Sequence, residues 1–191
     1  LDVHQQILGQ STFKVTDAVA GKPVRVTWEQ QKKGDAVLVR ATAHDSYGKW
    51  AAADILRFAV PVEHDDVVFA TGSHDVPQDE LHKVEAAWTE IDKTIRKYGE
   101  WLECSLFVAG HTDTVGDSSS NQALSERRAM SIARYYRSQG AKFPIYYRGY
   151  GESSLAVTTA DSVDEPANRR AVYTVTDGTP PGGASGWKKV P

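Results

Sequence analysis

The sequence predicts an α/β fold in which two helices pack on a mixed sheet in the order βαβαββ, preceded by a small β-rich segment. Two observations support this. In the second part of the chain, stretches with helical spacing of apolar residues alternate with short apolar stretches of strand length. The first part shows only short apolar runs separated by turn residues. Strands that alternate with helices favour βαβ units with the helices on a sheet face.

These patterns divide the chain into three predicted segments. Residues 1–64 form the β-rich lead-in and residues 65–177 form the α/β domain, because the pattern changes after Pro61. Residues 178–191 are rich in glycine and proline and contain few core residues, so we predict a flexible C-terminal tail.

Within the lead-in, strands are predicted at residues 24–28, 36–43 and 55–60. The Ser-Tyr-Gly-Lys sequence at 46–49 is typical of a turn between two strands. This segment contains no recognisable chemical motif, so its role stays open.

The α/β domain is predicted to begin with a strand at residues 66–70 and a helix at 77–98. Steps of three and four residues place one set of apolar side chains on a single helix face. That set is Leu81, Val84, Trp88, Ile91, Ile95 and Tyr98. Gly99 is typical of a helix C-terminus.

A second helix is predicted after a loop rich in glycine, serine and aspartate. Ser119 and Gln122 have the spacing of a capping box, and the helix is expected to end near Gly140. The remaining strands are predicted at residues 104–109, 144–148 and 170–175.

The overall charge argues against several classes of partner. The formal net charge of −3 over 191 residues provides no basic field that would attract nucleic acid. The sequence contains no run of about eighteen apolar residues that would span a bilayer. We therefore expect no nucleic-acid partner, while the kind of membrane anchor in the full-length protein stays open.

One arginine interrupts the apolar row of the second helix. At 100° per residue, Leu124, Arg128, Ile132 and Tyr135 fall within about 80° of one another, with Arg128 in the row. A buried guanidinium needs a partner, because an unpaired buried charge costs several kcal/mol. The candidate is Asp113, which lies where a strand gives way to the loop that leads into this helix.

Two interpretations of this pair follow. Ligands gather at the C-terminal ends of strands in α/β sheets, and helix N-termini favour carboxylates. Asp113 and Arg128 on one rim would therefore hold an amine and a carboxylate, as in a zwitterionic amino-acid head group. The alternative is that the two side chains form an internal ion pair and nothing else.

Five motifs occur along the domain in an order and spacing that resemble one family. They are Val-Phe-Ala-Thr-Gly-Ser at 68–73, Gly-His-Thr-Asp-Thr-Val-Gly at 110–116, Asn-Gln-Ala-Leu-Ser-Glu-Arg-Arg-Ala at 121–129, Gly-Tyr-Gly-Glu at 149–152 and Asn-Arg-Arg at 168–170. Together they resemble the OmpA-like, or OmpA/MotB, C-terminal domain. The resemblance covers about residues 65 to 177, and five ordered matches make it specific.

The resemblance implies a βαβαββ domain of the periplasm or outer membrane that binds the meso-diaminopimelate of peptidoglycan without cleaving it. Asp113 would bind the α-ammonium and Arg128 the α-carboxylate of that residue, and Asn121 would line the same pocket. Thr112 and Arg169 are lesser ligand candidates. No cofactor is implied.

The chain departs from the family pattern in its loops. Leu155 stands where many members have proline, Ala171 stands where a β-branched residue is usual, and residues 161–165 are more acidic than is typical. For Arg169, a salt bridge to this acidic loop is as plausible as a ligand role, because adjacent strand residues face opposite ways.

Other functions are weaker predictions. The main alternative is an envelope structural or interaction module with the same fold, no peptidoglycan binding, and a partner for residues 1–64. A wall hydrolase is the weakest, because the sequence lacks the Gly-x-Ser-x-Gly pattern. His111 with Asp113, and His64 with Asp66, lack a third ligand at recognisable spacing, so no metal is predicted.

Overall fold

The chain divides into two compact units, Leu1–Arg57 and Phe58–Pro191. Both units are taken from a computed structural model of the chain. The structure describes residues 1–2, 6–16, 18–19, 22–34, 36–56, 58–70, 72–100, 102–178 and 180–191.

The first unit contains a two-stranded antiparallel hairpin. Strand β1 (Leu38–His44) pairs with β2 (Trp50–Leu56). The connecting turn is held by Asp45, whose Oδ1 accepts hydrogen bonds from Tyr47 N at 2.9 Å and Lys49 N at 2.8 Å. The predicted strand at 24–28 is wrong, because these residues are exposed and form no strand.

The second unit is a five-stranded sheet with two helices. Its elements are β3 (Ala59–Pro61), α1 (Leu81–Tyr98), β4 (Ser105–Gly110), α2 (Ser118–Ser138), β5 (Ile145–Gly149), β6 (Ala171–Thr176) and β7 (Lys188–Lys189). The strand order is β3-β6-β4-β5-β7, with β4 and β5 parallel and the other pairs antiparallel. This architecture confirms the predicted fold of two helices on a mixed sheet.

The first strand of this sheet lies earlier in the chain than the sequence predicts. It is β3, which pairs with β6 and lies within the compact unit Phe58–Pro191. The predicted strand at 66–70 is wrong, although Val67 and Phe69 are buried in alternation as a strand would bury them.

Side chains at the start of α1 and in α2 form hydrogen bonds with backbone groups of this 66–70 segment, which pairs with no strand in the described part of the chain. Val68 N donates to Glu80 Oε2 at 2.7 Å, just before α1. Lys83 Nζ donates to Asp66 O at 3.0 Å. Arg128 Nη2, from α2, donates to Ala70 O at 3.3 Å.

Each helix buries one face. Helix α1 begins at Leu81, not at residue 77, and buries Val84, Ala87, Ile91 and Tyr98. The N-cap of α2 is Asp117, whose side chain accepts from Ser120 N, so the predicted capping by Ser119 is wrong. Within the described part of the chain, neither helix combines the length and the apolar character that crossing a bilayer requires.

Aromatic rings fill the space between the helices and the sheet. The Trp88 ring of α1 stacks on Tyr136 of α2 with ring centroids 5.6 Å apart, and Tyr136 meets Tyr173 of β6 edge-on at the same distance. Tyr136 and Tyr173 are both almost fully buried. The core thus links α1, α2 and the central part of the sheet.

Part of the C-terminal segment 178–191 lies against the sheet. Strand β7 pairs with β5, Val190 N donates to Ile145 O at 2.9 Å, and Val190 is buried. Trp187 meets Phe107 edge-on with ring centroids 4.9 Å apart. Hydrogen bonds and apolar burial therefore hold this end of the chain on the edge of the sheet.

Two glycines allow α2 to lie close to the ends of β4 and β5. A Cβ atom on Gly110 would clash with Ser125 O. A Cβ atom on Gly149 would lie 2.5 Å from both Glu126 N and Ser125 Oγ. The helix therefore approaches the strand ends more closely than any residue with a side chain would permit.

We predict that Gly149→Ala lowers the free energy of unfolding by about 2 kcal/mol or more, because the added methyl group meets backbone that cannot move independently. Chemical denaturation measures this. Gly140→Ala is the matched control: it meets no atom within 4 Å and bears only the strain of a φ of 91°, so we expect about 1 kcal/mol. Equal losses for the two variants would contradict the close approach.

Candidate functional site

The candidate site lies where β4 ends and α2 begins. Three backbone hydrogen bonds of 2.9 Å join the segments around it: Tyr150 N to Gly110 O, His111 N to Arg170 O, and Thr112 N to Gly151 O. The chain after β4 is thus tied to the loop after β5 and to the residues before β6. These bonds bring three of the five motifs together. Arg128, in the 121–129 motif, joins the 68–73 motif to the site through the carbonyl groups of Ala70 and Ser73.

Arg128 is buried, with 3% of its surface exposed, as the sequence predicted. Its Nε donates to Ser73 O at 2.9 Å and its Nη2 to Ala70 O at 3.3 Å. The guanidinium carbon lies 4.8 Å from the centre of the Phe69 ring, in cation–π contact. Among the described residues, Nη1 has no hydrogen-bond partner.

The charge of Arg128 is incompletely compensated inside the protein. Burial, and next to it the positive charge of Arg169, lower the pKa of this guanidinium to about 10, although the negative charge of Asp113 opposes both effects. Carbonyl oxygens supply hydrogen bonds but no negative charge. An anionic group placed at Nη1 would therefore be stabilised.

Asp113 is also buried, with 7% of its surface exposed. Its Oδ1 accepts from Val115 N at 3.3 Å, and its Oδ2 accepts from Arg169 Nη1 at 2.7 Å. The ion partner of Asp113 is therefore Arg169. Asp113 forms no salt bridge with Arg128 and acts on it only through its negative charge. The direct Asp113–Arg128 pair that the sequence allowed is not found among the described residues.

Arg169 contacts a second carboxylate as well. Its Nη1 pairs with Asp164 in the acidic loop that precedes it. The salt bridge to the acidic loop, expected as an alternative role, is thus present together with the contact to Asp113.

Asn121 connects the two loops that border the site. Its Nδ2 donates to Glu152 Oε2 at 2.7 Å, to Val115 O at 3.1 Å and, weakly, to Asp113 O at 3.4 Å. Thr112 is 2% exposed, and its Oγ1 has no hydrogen-bond partner among the described residues. Thr112 directly precedes Asp113 in the chain.

His111 directly precedes Thr112 in the chain and is buried. Its ring stacks on Tyr150, with ring centroids 5.3 Å apart and an angle of 7° between the planes. The side chain is buried, and burial, helped by the positive charge of Arg170, lowers its pKa from 6.5 to about 4. His111 is therefore neutral at pH 7 and supports Tyr150 by packing.

Sequence reasoning missed three residues of the site: Phe69, Glu152 and Asp164. The first two lie in motifs that were recognised, but nothing in the pattern showed that they contact Arg128 and Asn121. Asp164 lies in the acidic run whose departure from the family pattern was the available signal. In the described ranges, no three His, Cys, Asp or Glu side chains come together as metal ligands.

A model of the OmpA family matches residues 68–169, more than half of the chain. The chain belongs to the OmpA family. The matched range contains every residue of the candidate site described above, from Phe69 to Arg169.

Two curated relatives are similar over part of the domain. Outer membrane protein A of Escherichia fergusonii is 43% identical over 65 residues, which are 33% of this chain and 27% of that protein. The outer-membrane lipoprotein YfiB of Pseudomonas aeruginosa is 40% identical over 69 residues, 36% of this chain and 41% of that protein. The chain thus matches well under two thirds of the length of either relative.

Among solved structures, the peptidoglycan-associated lipoprotein from Burkholderia pseudomallei is similar, with a TM-score of 0.42 and 18% sequence identity. The alignment covers 62% of this chain and 88% of that one.

We predict that His111 makes the domain less stable in acid. A group whose folded pKa is about 4 and whose unfolded pKa is 6.5 contributes stability above pH 6.5 that is lost as the pH falls toward 4, here up to about 3 kcal/mol. Denaturation curves at several pH values measure this loss. His111→Gln should flatten that dependence, whereas His74→Gln, at a more exposed histidine, should leave it unchanged. A pH dependence unaltered in His111→Gln would contradict the prediction.

Proposed function

We propose that this domain binds bacterial peptidoglycan without cleaving it, through the meso-diaminopimelate of the stem peptide. One observation carries the proposal: the buried guanidinium of Arg128 leaves Nη1 without a hydrogen-bond partner in the described part of the chain, near the carboxylate of Asp113. A positive and a negative group on one rim complement the carboxylate and the ammonium of an amino-acid head group. Membership of the OmpA family supports the same ligand.

Arg128 would bind the α-carboxylate of diaminopimelate end-on. Because Nε and Nη2 each donate to a backbone carbonyl, the ligand would meet Nη1 and the remaining N–H of Nη2. The contacts to Ser73 and Ala70 hold the fork in place before the ligand arrives. Such a fixed planar donor favours a carboxylate over a spherical anion.

Asp113 would bind the α-ammonium, while three other residues would line the pocket. Thr112 would offer the hydroxyl group that has no partner in the described part of the protein. Asn121 would hold the pocket walls together, and Arg169 would act through its contact with Asp113.

The names of the relatives indicate where this protein acts. Outer membrane protein A and an outer-membrane lipoprotein belong to the bacterial envelope. We propose that this chain lies in the periplasm, tethering the envelope to the cell wall. Residues 1–64 would contact an envelope protein partner.

A second candidate function is an envelope module with the same fold and no peptidoglycan binding. It is favoured by the pairing of Asp113 with Arg169, which gives the carboxylate an internal partner. The two candidates predict opposite results in a sedimentation assay with purified cell walls.

We predict that the protein sediments with cell-wall sacculi of the diaminopimelate type and not with those of the lysine type, because lysine lacks the second amino-acid head group. Since the contact is charge-assisted, sedimentation should weaken as salt is added. Equal sedimentation with both wall types would exclude the proposed recognition. Release of soluble muropeptides during the assay would instead indicate a hydrolase.

We predict that Arg128→Lys lowers affinity for meso-diaminopimelate roughly tenfold or more, because a single ammonium replaces a planar fork and loses hydrogen bonds worth about 1.5–3 kcal/mol. Isothermal titration measures the affinity. Thermal stability should fall too, because a lysine ammonium is a poor substitute for a guanidinium that serves Ser73 O and Ala70 O together.

Arg127→Lys is the matched control for this variant. Arg127 is the neighbouring residue on α2 and is exposed, so the same substitution should leave both affinity and stability unchanged. A folded Arg128→Lys variant that binds like the parent would remove Arg128 from the proposed site.

A further inference from the structure

The guanidinium of Arg169 is shared between two carboxylates of unequal exposure. Its Nη1 contacts both Asp113 Oδ2, at 2.7 Å, and Asp164 Oδ1. The side chain of Asp113 is 10% exposed and that of Asp164 is 73% exposed. Arg169 therefore connects a buried acidic group at the proposed pocket with an acidic group at the surface.

Asp164 is held near Asp113 by the loop that carries it. Ser162 N donates to Thr114 O at 2.9 Å, and Val163 N donates to Thr114 Oγ1 at 3.1 Å. Thr114 directly follows Asp113 in the chain. The acidic loop is thus anchored on the residue next to the proposed ammonium-binding carboxylate.

Asp164 is one of the two carboxylates that neutralise the guanidinium of Arg169. Without Asp164, Arg169 would be paired with Asp113 alone. An incoming ammonium at Asp113 would then meet a guanidinium whose positive charge has no second carboxylate beside it. Like charges at such distances repel each other, which weakens binding of a cation.

We propose that Asp164 is a specificity-determining residue: it holds the guanidinium of Arg169 when a ligand ammonium binds Asp113, so the pocket selects a zwitterionic head group over a carboxylate alone. This inference rests on the proposed function. Asp164 acts through Arg169 and is a positioning residue, because its own contact is to Arg169.

The test compares two ligands that differ only in their ammonium groups, meso-diaminopimelate and pimelate. Asp164→Asn should lower the affinity for meso-diaminopimelate about threefold to fivefold at low salt, the range expected for a largely exposed ion pair. Affinity for pimelate should stay equal or rise, because the net charge of the site becomes more positive. A variant that merely distorts the loop would weaken both ligands together.

Asp161→Asn is the matched control, since it removes the same charge from the same loop. Asp161 is exposed, and its Oδ1 accepts a hydrogen bond from Ser162 N. It should change neither affinity by more than about twofold. If Asp164→Asn behaves like Asp161→Asn, or weakens both ligands equally, the proposal is overturned while the proposed function stands. If the parent protein does not bind meso-diaminopimelate, both are overturned.

Discussion

The arrangement of this domain depends on the burial of the Arg128 guanidinium. Arg128 faces inward from α2, and its charge would be costly there without hydrogen-bond acceptors. The carbonyl groups of Ala70 and Ser73 meet that requirement, so the chain between β3 and α1 must lie against α2. The Phe69 ring on the guanidinium adds to this contact. The 66–70 segment, which lies outside the sheet, is thereby held against α2.

The close approach of α2 to the sheet places the strand ends beside the start of the helix. Gly110 and Gly149 leave room for the backbone of α2, and Ser125 Oγ accepts from Gly151 N at 2.8 Å. Asn121, one turn earlier, connects the loops after β4 and β5. Short side chains and glycine thus allow backbone contacts that keep the rim of the site in place before any ligand arrives.

Arg128 and Arg169 have the same side chain, but their surroundings shift its pKa in opposite directions. Arg128 is buried against carbonyl groups, and its pKa is lowered by that burial. Arg169 contacts two carboxylates, which raise its pKa, with the bond to Asp113 as the largest cause. The first guanidinium is suited to an external anion, and the second neutralises internal ones. In our proposal the same division explains why one zwitterionic ligand suits the site.

The sequence by itself determined both helices, the strands β4, β5 and β6, the burial of Arg128 and the family, because periodicity and ordered motifs can be seen in the chain without its fold. The sequence wrongly predicted a strand at 66–70, since an apolar pattern does not reveal whether the backbone N–H and C=O groups will hydrogen-bond to a strand or to side chains. Only the tertiary structure decided that Arg169 pairs with Asp113 across 56 residues, and that Asp164 joins them. Ion pairs of this kind depend on loop paths, and loop paths depend on contacts that no local pattern encodes.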